Sequence, residues 1–276
     1  MLLCAKQQYE ASVNLKIKSD EGPEKTLLPS FSLVIEWENA HLAEMHNTRD
    51  MLRELFQQLE QEYSYFSSHP EIIFLCDPKK IPFELIERVV EETCPTKDKW
   101  AKISTVASPG LRYYEMKNLG AKHAHGDVVL FLDSDVVPED GWLRHMLTPF
   151  LKPEVAAITG NTYVPPNSTK ERAYALFWMF PLRSEEGPLK PTVRGFANNL
   201  ACRLDVFRAT GFPDNIEFRW HTGPLLQSLS KQGYGVFHQP MAHVRHPPPE
   251  SLHHFLSRAL CEGHDVYLNR NDGSND

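Results

Sequence analysis

The chain lacks a long apolar run, a cysteine pattern and an excess of positive charge, and each absence removes a class of function. No window approaches the ~18 apolar residues of a membrane-spanning helix. The longest candidate, 173–182, is about half that length and runs into Pro181. Its aromatic content and its flanks Lys170, Arg172 and Arg183 suit a buried core segment first and peripheral membrane contact second. The five cysteines (Cys4, Cys76, Cys94, Cys202, Cys261) are odd in number and never in Cys-x-x-Cys spacing, which excludes a disulfide framework and a zinc ribbon and predicts a reducing, cytoplasmic setting. Met1 to Ala5 is followed at once by Lys6, too short an apolar stretch for a secretory signal. The formal net charge of −7 argues against a nucleic-acid partner, since such a binder needs a basic face to release counterions. Any phosphate is therefore expected to be held by a metal and a few local groups.

What is present is ordinary core-forming material, 41% hydrophobic over 276 residues, in an alternating arrangement. Strands are predicted at 31–35, 71–78 and 101–106, and helices at 52–62 and from about 110 to 124. A strand at 128–132 follows. Strand, helix, strand, strand, helix, strand is the order of an α/β fold with a mostly parallel, Rossmann-like sheet. We expect residues 1–30 to form an extension and 31–250 a single domain. Its nucleotide-binding half is 31–160 and its acceptor-shaping half 161–250, with shorter and more polar strands among clustered prolines; a helix and tail follow at 251–276.

The most informative stretch is Val128-Val129-Leu130-Phe131-Leu132-Asp133-Ser134-Asp135. Five apolar residues read as a strand buried on both faces, and the C-terminal end of such a strand is where open α/β sheets bind ligands. Two carboxylates there repel by about 4 kcal/mol at an effective dielectric of 20 unless a cation sits between them. Hard ions such as Mn²⁺ or Mg²⁺ take oxygen sites of this kind and share them with phosphates. The competing interpretation is that Asp133 and Asp135 cap a helix beginning near Pro138.

The ordered series of segments resembles the inverting glycosyltransferases of family 2, which have the GT-A fold. The matching residues are the first strand running into a polar turn (31–39), Asp77 closing the second strand, and Gly110-Leu111 through Lys117-Asn118-Leu119-Gly120. They continue with Phe131-Leu132-Asp133-Ser134-Asp135, Arg194 to Asn199, Ala209-Thr210-Gly211-Phe212-Pro213-Asp214, Lys231 to Val236, and Ala242 to His246. The resemblance implies a nucleotide-sugar donor, UDP-linked if Asp77 accepts a hydrogen bond from a base imide, and a saccharide or lipid-linked acceptor. It implies nucleotide contacts from Glu36, Asp77, Lys117, Asp133 and Ser134, and Mn²⁺ or Mg²⁺ on Asp133, Asp135 and His246, with His243, His253 and His254 competing for the last place.

One departure concerns the proton acceptor. The family places Glu-Asp roughly eleven or twelve residues before the Gly-Tyr turn, and here that position holds His221-Thr222. His221 is the expected base, since an ordinary imidazole pKa of ~6.5 permits it, and Glu217 is the alternative. The missing pair also keeps open a catalytically silent nucleotide-sugar sensor or partner subunit. A haloacid-dehalogenase phosphatase, which shares the strand and Asp-x-Asp, is disfavoured because no second acidic pair follows an apolar strand after Asp140.

Overall fold

The structure, a computed structural model, describes residues 26–37, 45–165, 168–175, 180–181, 186–213, 222–248 and isolated positions from 252 to 267. The chain enters as β1 (Phe31–Glu36) and crosses through α1 (Met45–Glu62) to β2 (Glu71–Cys76). It continues through α2 (Phe83–Thr93) to β3 (Lys102–Ala107), then through α3 (Tyr113–His123) to β4 (Val128–Asp133). These four strands pair in parallel in the order β3-β2-β1-β4. All of β1 and β4 is buried. Side chains alternate across the pleat: Leu33, Ile35, Leu130 and Leu132 join one core under α1 and α2, while Val34, Val129 and Phe131 join a second core under α3. Each fully buried aliphatic side chain is worth about 1.5–3 kcal/mol, so covering both faces is what holds the central strands.

The second half extends the same sheet. β5 (Val137–Pro138), α4 (Trp142–Leu147), β6 (Val155–Tyr163), α5 (Thr169–Ala175), β7 (Lys190–Pro191), β8 (Asn199–Arg203), α6 (Leu204–Thr210), α7 (Thr222–Lys231) and β9 (Gly235–Arg245) follow. The sheet has nine strands in the order β3-β2-β1-β4-β8-β6-β9-β5, with β7 on β9. β8 runs antiparallel to both β4 and β6, so the parallel arrangement covers the first four strands and the β6–β9 pair. The expectation of shorter strands here holds for β5, β7 and β8, with two, two and five residues, and is corrected for β6, with nine, and β9, with eleven. Gly160 and Asn161 sit at a register shift of β6 against β9 that the sheet absorbs as a bulge.

Two glycines of the family-like motif have separate structural causes. Gly110 turns with φ +69, a conformation an L side chain resists, and its neighbourhood is open. Gly120 has no such backbone need. A Cβ there would stand 2.4 Å from Val34 and 2.9 Å from Leu75, so its lack of a side chain lets α3 lie directly on β1 and β2. Asn118, on the same helix, donates to the Phe212 carbonyl at 2.9 Å and accepts from the Phe212 N–H at 2.9 Å. Two distant motif segments are thereby fastened together. The aromatic run 173–182 is described only in part: α5 ends at Ala175, residues 176–179 lie outside the described set, and Phe180 is buried.

Candidate active site

Because β1 to β4 are parallel, their C-terminal ends place Glu36, Asp77, Ser108 and the turn 133–135 along one edge. Asp133 closes β4, and the Val136 N–H bonds back to its carbonyl at 3.2 Å, turning the chain so that Asp135 follows on the same edge. The helix after this turn begins only at Trp142, with Gly141 as its cap, so neither aspartate caps it. Both carboxylates are nearly inaccessible, at 4% and 7% exposure.

The two aspartates have opposite surroundings. Asp133 is well partnered: its Oδ1 accepts from Lys117 Nζ at 2.7 Å, and its two oxygens share the single Tyr113 hydroxyl proton, with Tyr113 Oη 2.8 Å from Oδ1 and 3.0 Å from Oδ2. Lys117 is fully buried, with Nζ 4.6 Å from the centre of the Tyr113 ring. Tyr113 and Lys117 reach Asp133 together because they stand one helical turn apart on α3. Burial, and then the charge of Asp133, hold the Tyr113 hydroxyl well above its ordinary pKa, so it remains a donor. Glu36, fully buried and level with Asp133 in the β1–β4 register, adds to that shift.

Asp135 is the reverse case: its Oδ1 is buried with no hydrogen-bond partner. Burial pushes its pKa up to about 6, opposed by His246 and reinforced by the charge of Asp133. His246 Nδ1 lies 2.7 Å from the Pro247 carbonyl, which can only accept, so the proton sits on Nδ1 and a neutral ring leaves Nε2 with its lone pair. Phe180 lies against this ring, tilted by 38° with the centroids 4.7 Å apart. His243 turns elsewhere, to Glu139 at 3.6 Å.

An orphaned carboxylate oxygen and an imidazole with a fixed tautomer are donors that a divalent ion accepts, so the residues fit such an ion. Among the described residues, no group of three His, Cys, Asp or Glu side chains is already assembled for a metal. Asp77, at the end of β2, accepts from the N–H groups of Lys79 at 3.0 Å and Gly110 at 3.3 Å, and these bonds, that of Lys79 foremost, hold its pKa below the usual value. Ser134 is buried in the same turn. His221, Glu217, His253 and His254 lie outside the described residues. The sequence reading did not single out Tyr113; its spacing of four from Lys117 was the available signal.

The edge so built is the ligand-binding end of an open α/β sheet, and comparisons with known proteins give its family. Glycosyl transferase family 2 matches over residues 45–209, and the chain belongs to that family. Two curated relatives, the pre-mycofactocin glycosyltransferases of two Mycobacterium tuberculosis strains, are 29% identical over 152 residues, or 53% of this chain. The chain spans only about a third, 32%, of their length. Among solved structures, it resembles the mannosyltransferase PcManGT from Pyrobaculum calidifontis in complex with GDP-Man and Mn²⁺ (TM-score 0.63, 15% identity, 99% of this chain and 72% of that one). It also resembles GalNAc-T7 with UDP, GalNAc and Mn²⁺ (TM-score 0.59, 14% identity, 83% of this chain and 44% of that one). At these identities the likeness establishes the fold, which is GT-A.

Proposed function

We propose that the chain transfers a sugar from a nucleoside-diphosphate donor, UDP-linked, to a hydroxyl of a saccharide or lipid-linked acceptor, with inversion and with help from Mn²⁺ or Mg²⁺. The observation that carries this is the buried, unpartnered Oδ1 of Asp135 at the end of β4. Leaving a carboxylate oxygen desolvated and unpaired costs about 1–3 kcal/mol or more, a cost that bound cation would offset. Asp135 and His246 Nε2 would hold the ion, whose contribution when bound is to neutralise charge developing on the leaving diphosphate. Asp133 and Ser134 shape the donor side of the turn, and Glu36 stands beside them. Lys117, which the sequence assigned to phosphate charge, is committed to Asp133 and acts on the donor through it.

Asp77 supports the choice of uracil: two N–H donors keep it ionised and aimed from the β2 end, where it accepts from a base imide. PcManGT carries GDP-Man, so the base is the point on which this reading is most exposed. At the acceptor, an imidazole nitrogen of His221 takes the hydroxyl proton as the oxygen bonds to the anomeric carbon and the bond to the diphosphate breaks; Glu217 is the alternative proton acceptor. Both bear on rate and not on donor binding.

No described helix is long and apolar enough to cross a membrane. Cys76, Cys94, Cys202 and Cys261 are free thiols, which suits the cytoplasmic setting we infer.

The deciding experiment presents the purified protein with UDP- and GDP-sugars, with and without Mn²⁺, and follows donor consumption in the parent, His221→Ala and Glu217→Gln. Mn²⁺-dependent consumption of a UDP-sugar, reduced about 10²–10⁴-fold in one of the two variants, is expected. Preference for a GDP-sugar overturns the base assignment. Donor binding without turnover in the parent favours the silent sensor, which the absent Glu-Asp pair already suggests.

A further inference from the structure

His246 follows the end of a short ladder. The parallel pairing of β6 with β9 is interrupted after Gly160, and beyond that bulge only Asn161 with His243, Thr162 with Val244 and Tyr163 with Arg245 remain. On the other edge of β9, β5 pairs only through Val137 and Pro138. With so few pairs, little in the ladder itself opposes a shift of the strand end, and bulges of this kind re-aim the side chains beside them. Glu139 ties this end of β9 to the turn that carries Asp135. Its carbonyl accepts from Gln58 Nε2 of α1 at 2.8 Å, and its N–H donates to the His243 carbonyl at 3.0 Å. Its carboxylate accepts from the Tyr163 hydroxyl at 2.5 Å and faces His243 Nδ1 at 3.6 Å and Arg245 Nε at 3.5 Å. Tyr163 in turn takes the N–H of His246 on its own carbonyl at 2.8 Å. Burial, and then the Glu139 carboxylate, raise the Tyr163 pKa to about 12, so the hydroxyl stays a donor. His246 lies close enough to Asp135 for its charge to oppose the rise in that carboxyl's pKa.

We infer that Glu139 is a positioning residue, clamping Tyr163 and the end of β9 to the turn after β4 so that the His246 ring is held on the side of Asp135. The inference rests on the reading of Asp135 and His246 as metal-holding side chains. Glu139 is not a ligand in this assignment; it acts through Tyr163 and the backbone of β9. The clamp is partly exposed, with the Glu139 side chain 29% and the Arg245 side chain 45% accessible, so its ion pairs contribute little to the stability of the fold. What it supplies is order at one place. Groups that orient the ligands of a metal without touching the ion cost about 10–100-fold in metal affinity when they are removed. Part of the affinity for the ion is therefore carried by residues that hold neither metal nor donor.

The test breaks the clamp from both sides. Mn²⁺ is titrated into the full chain, and the free ion is followed by its paramagnetic resonance signal in the parent, Tyr163→Phe, Glu139→Ala, the double variant and Glu139→Gln. Urea unfolding of each protein is measured alongside. Each of Tyr163→Phe and Glu139→Ala should lose about 10–100-fold in Mn²⁺ affinity, with an unfolding midpoint close to that of the parent. The double variant should lose no more than the larger single loss. Glu139→Gln keeps an oxygen that accepts from Tyr163 and should recover most of the affinity, a rescue that a general loosening of the fold would not give. Tyr163→Phe, which deletes one hydroxyl and keeps the ring, carries the test if Glu139→Ala does not fold. Parent-like affinity in the folded variants overturns the inference, as do additive losses in the double variant. Loss in both Glu139 variants with none in Tyr163→Phe overturns it too, because Glu139 is then itself a ligand. Asp135→Asn separates the two levels of argument. If it binds Mn²⁺ as the parent does, the reading of the metal site has failed; if it loses the ion while the clamp variants keep it, only the positioning role has.

Discussion

The two ends of β1 and β4 hold carboxylates in opposite conditions. At the N-terminal end, Ser30 donates to Asp127 at 2.5 Å, and Ser32 donates to Glu71 at 2.6 Å. Glu71 also accepts from the His125 backbone at 2.8 Å, while the Ser32 hydroxyl takes the N–H of Gly126 at 2.9 Å. The acids there are met by hydroxyl and backbone donors near solvent, with the His125 ring also beside Glu71. At the C-terminal end, a few residues along the same strands, Glu36, Asp133 and Asp135 are buried together, one lysine answers Asp133, and Asp135 keeps an oxygen with no partner. The same residue chemistry thus closes the sheet at one end and strains it at the other. Uncompensated burial of charge persists where something outside the chain completes it.

The largest expected effect comes from breaking the buried ion pair at the strained end. Lys117→Met removes the partner of a buried carboxylate while keeping the volume, and should destabilise by about 3–5 kcal/mol. Adding Asp133→Leu removes the stranded charge and should recover most of that loss. Urea unfolding of the parent, both single variants and the double variant measures the coupling. Additive losses would mean that the ion pair is not the local support described here.

Next in size is the effect on activity of the orphaned acid. Asp135→Asn should slow transfer about 10²–10³-fold and abolish Mn²⁺-dependent nucleotide binding, in line with removal of one group that stabilises developing charge. Stability of the protein without metal should stay level or rise by ~1 kcal/mol, because a desolvated, unpaired charge is gone. The opposite signs are the informative part. A variant that is both inactive and less stable would place Asp135 among structural acids like Asp127.

How far this contrast could be read from sequence depends on how local each feature is. The run 128–135 is legible because a strand buried on both faces must be apolar throughout, so its end is marked by where the charges begin. The helix at 52–62 follows from periodicity and the glycine at 120 from motif, while the first two turns of that helix, from Met45, carry no such signal. By contrast β5 is two residues, Val137 and Pro138, that form a strand only because Arg245 and Val244 arrive beside them from more than a hundred residues away. β9 escaped notice for a related reason: its alternating half-exposed residues, with Pro240 in the middle, carry no continuous apolar signal. At the site, the residue types of Asp133, Asp135 and Lys117 were visible, but their partners were not. That Lys117 faces an aspartate and not a phosphate is decided by how α3 lies on β1, which Gly120 permits and no linear spacing states.

The smallest effect sharpens the comparison from the satisfied end. Burial alone would raise the pKa of Glu71, but the hydrogen bonds from Ser32 and from the His125 backbone, with the neighbouring His125 ring, outweigh it and leave the folded value below the ordinary one. A group whose pKa is depressed on folding contributes stability above its unfolded pKa of ~4.3 and loses it as pH falls through that value toward the folded one. Glu71→Gln should therefore cost about 1–2 kcal/mol at neutral pH, and the difference from the parent should shrink below about pH 4 and vanish once both forms are protonated. Transfer and metal binding should be untouched, because Glu71 begins β2 at the edge opposite Asp135. Unfolding curves taken at several pH values, together with one assay of donor consumption, decide this. A pH-independent difference would mean that Glu71 acts through packing, and a fall in transfer would mean that the two ends of the sheet are coupled and the contrast between them is wrong.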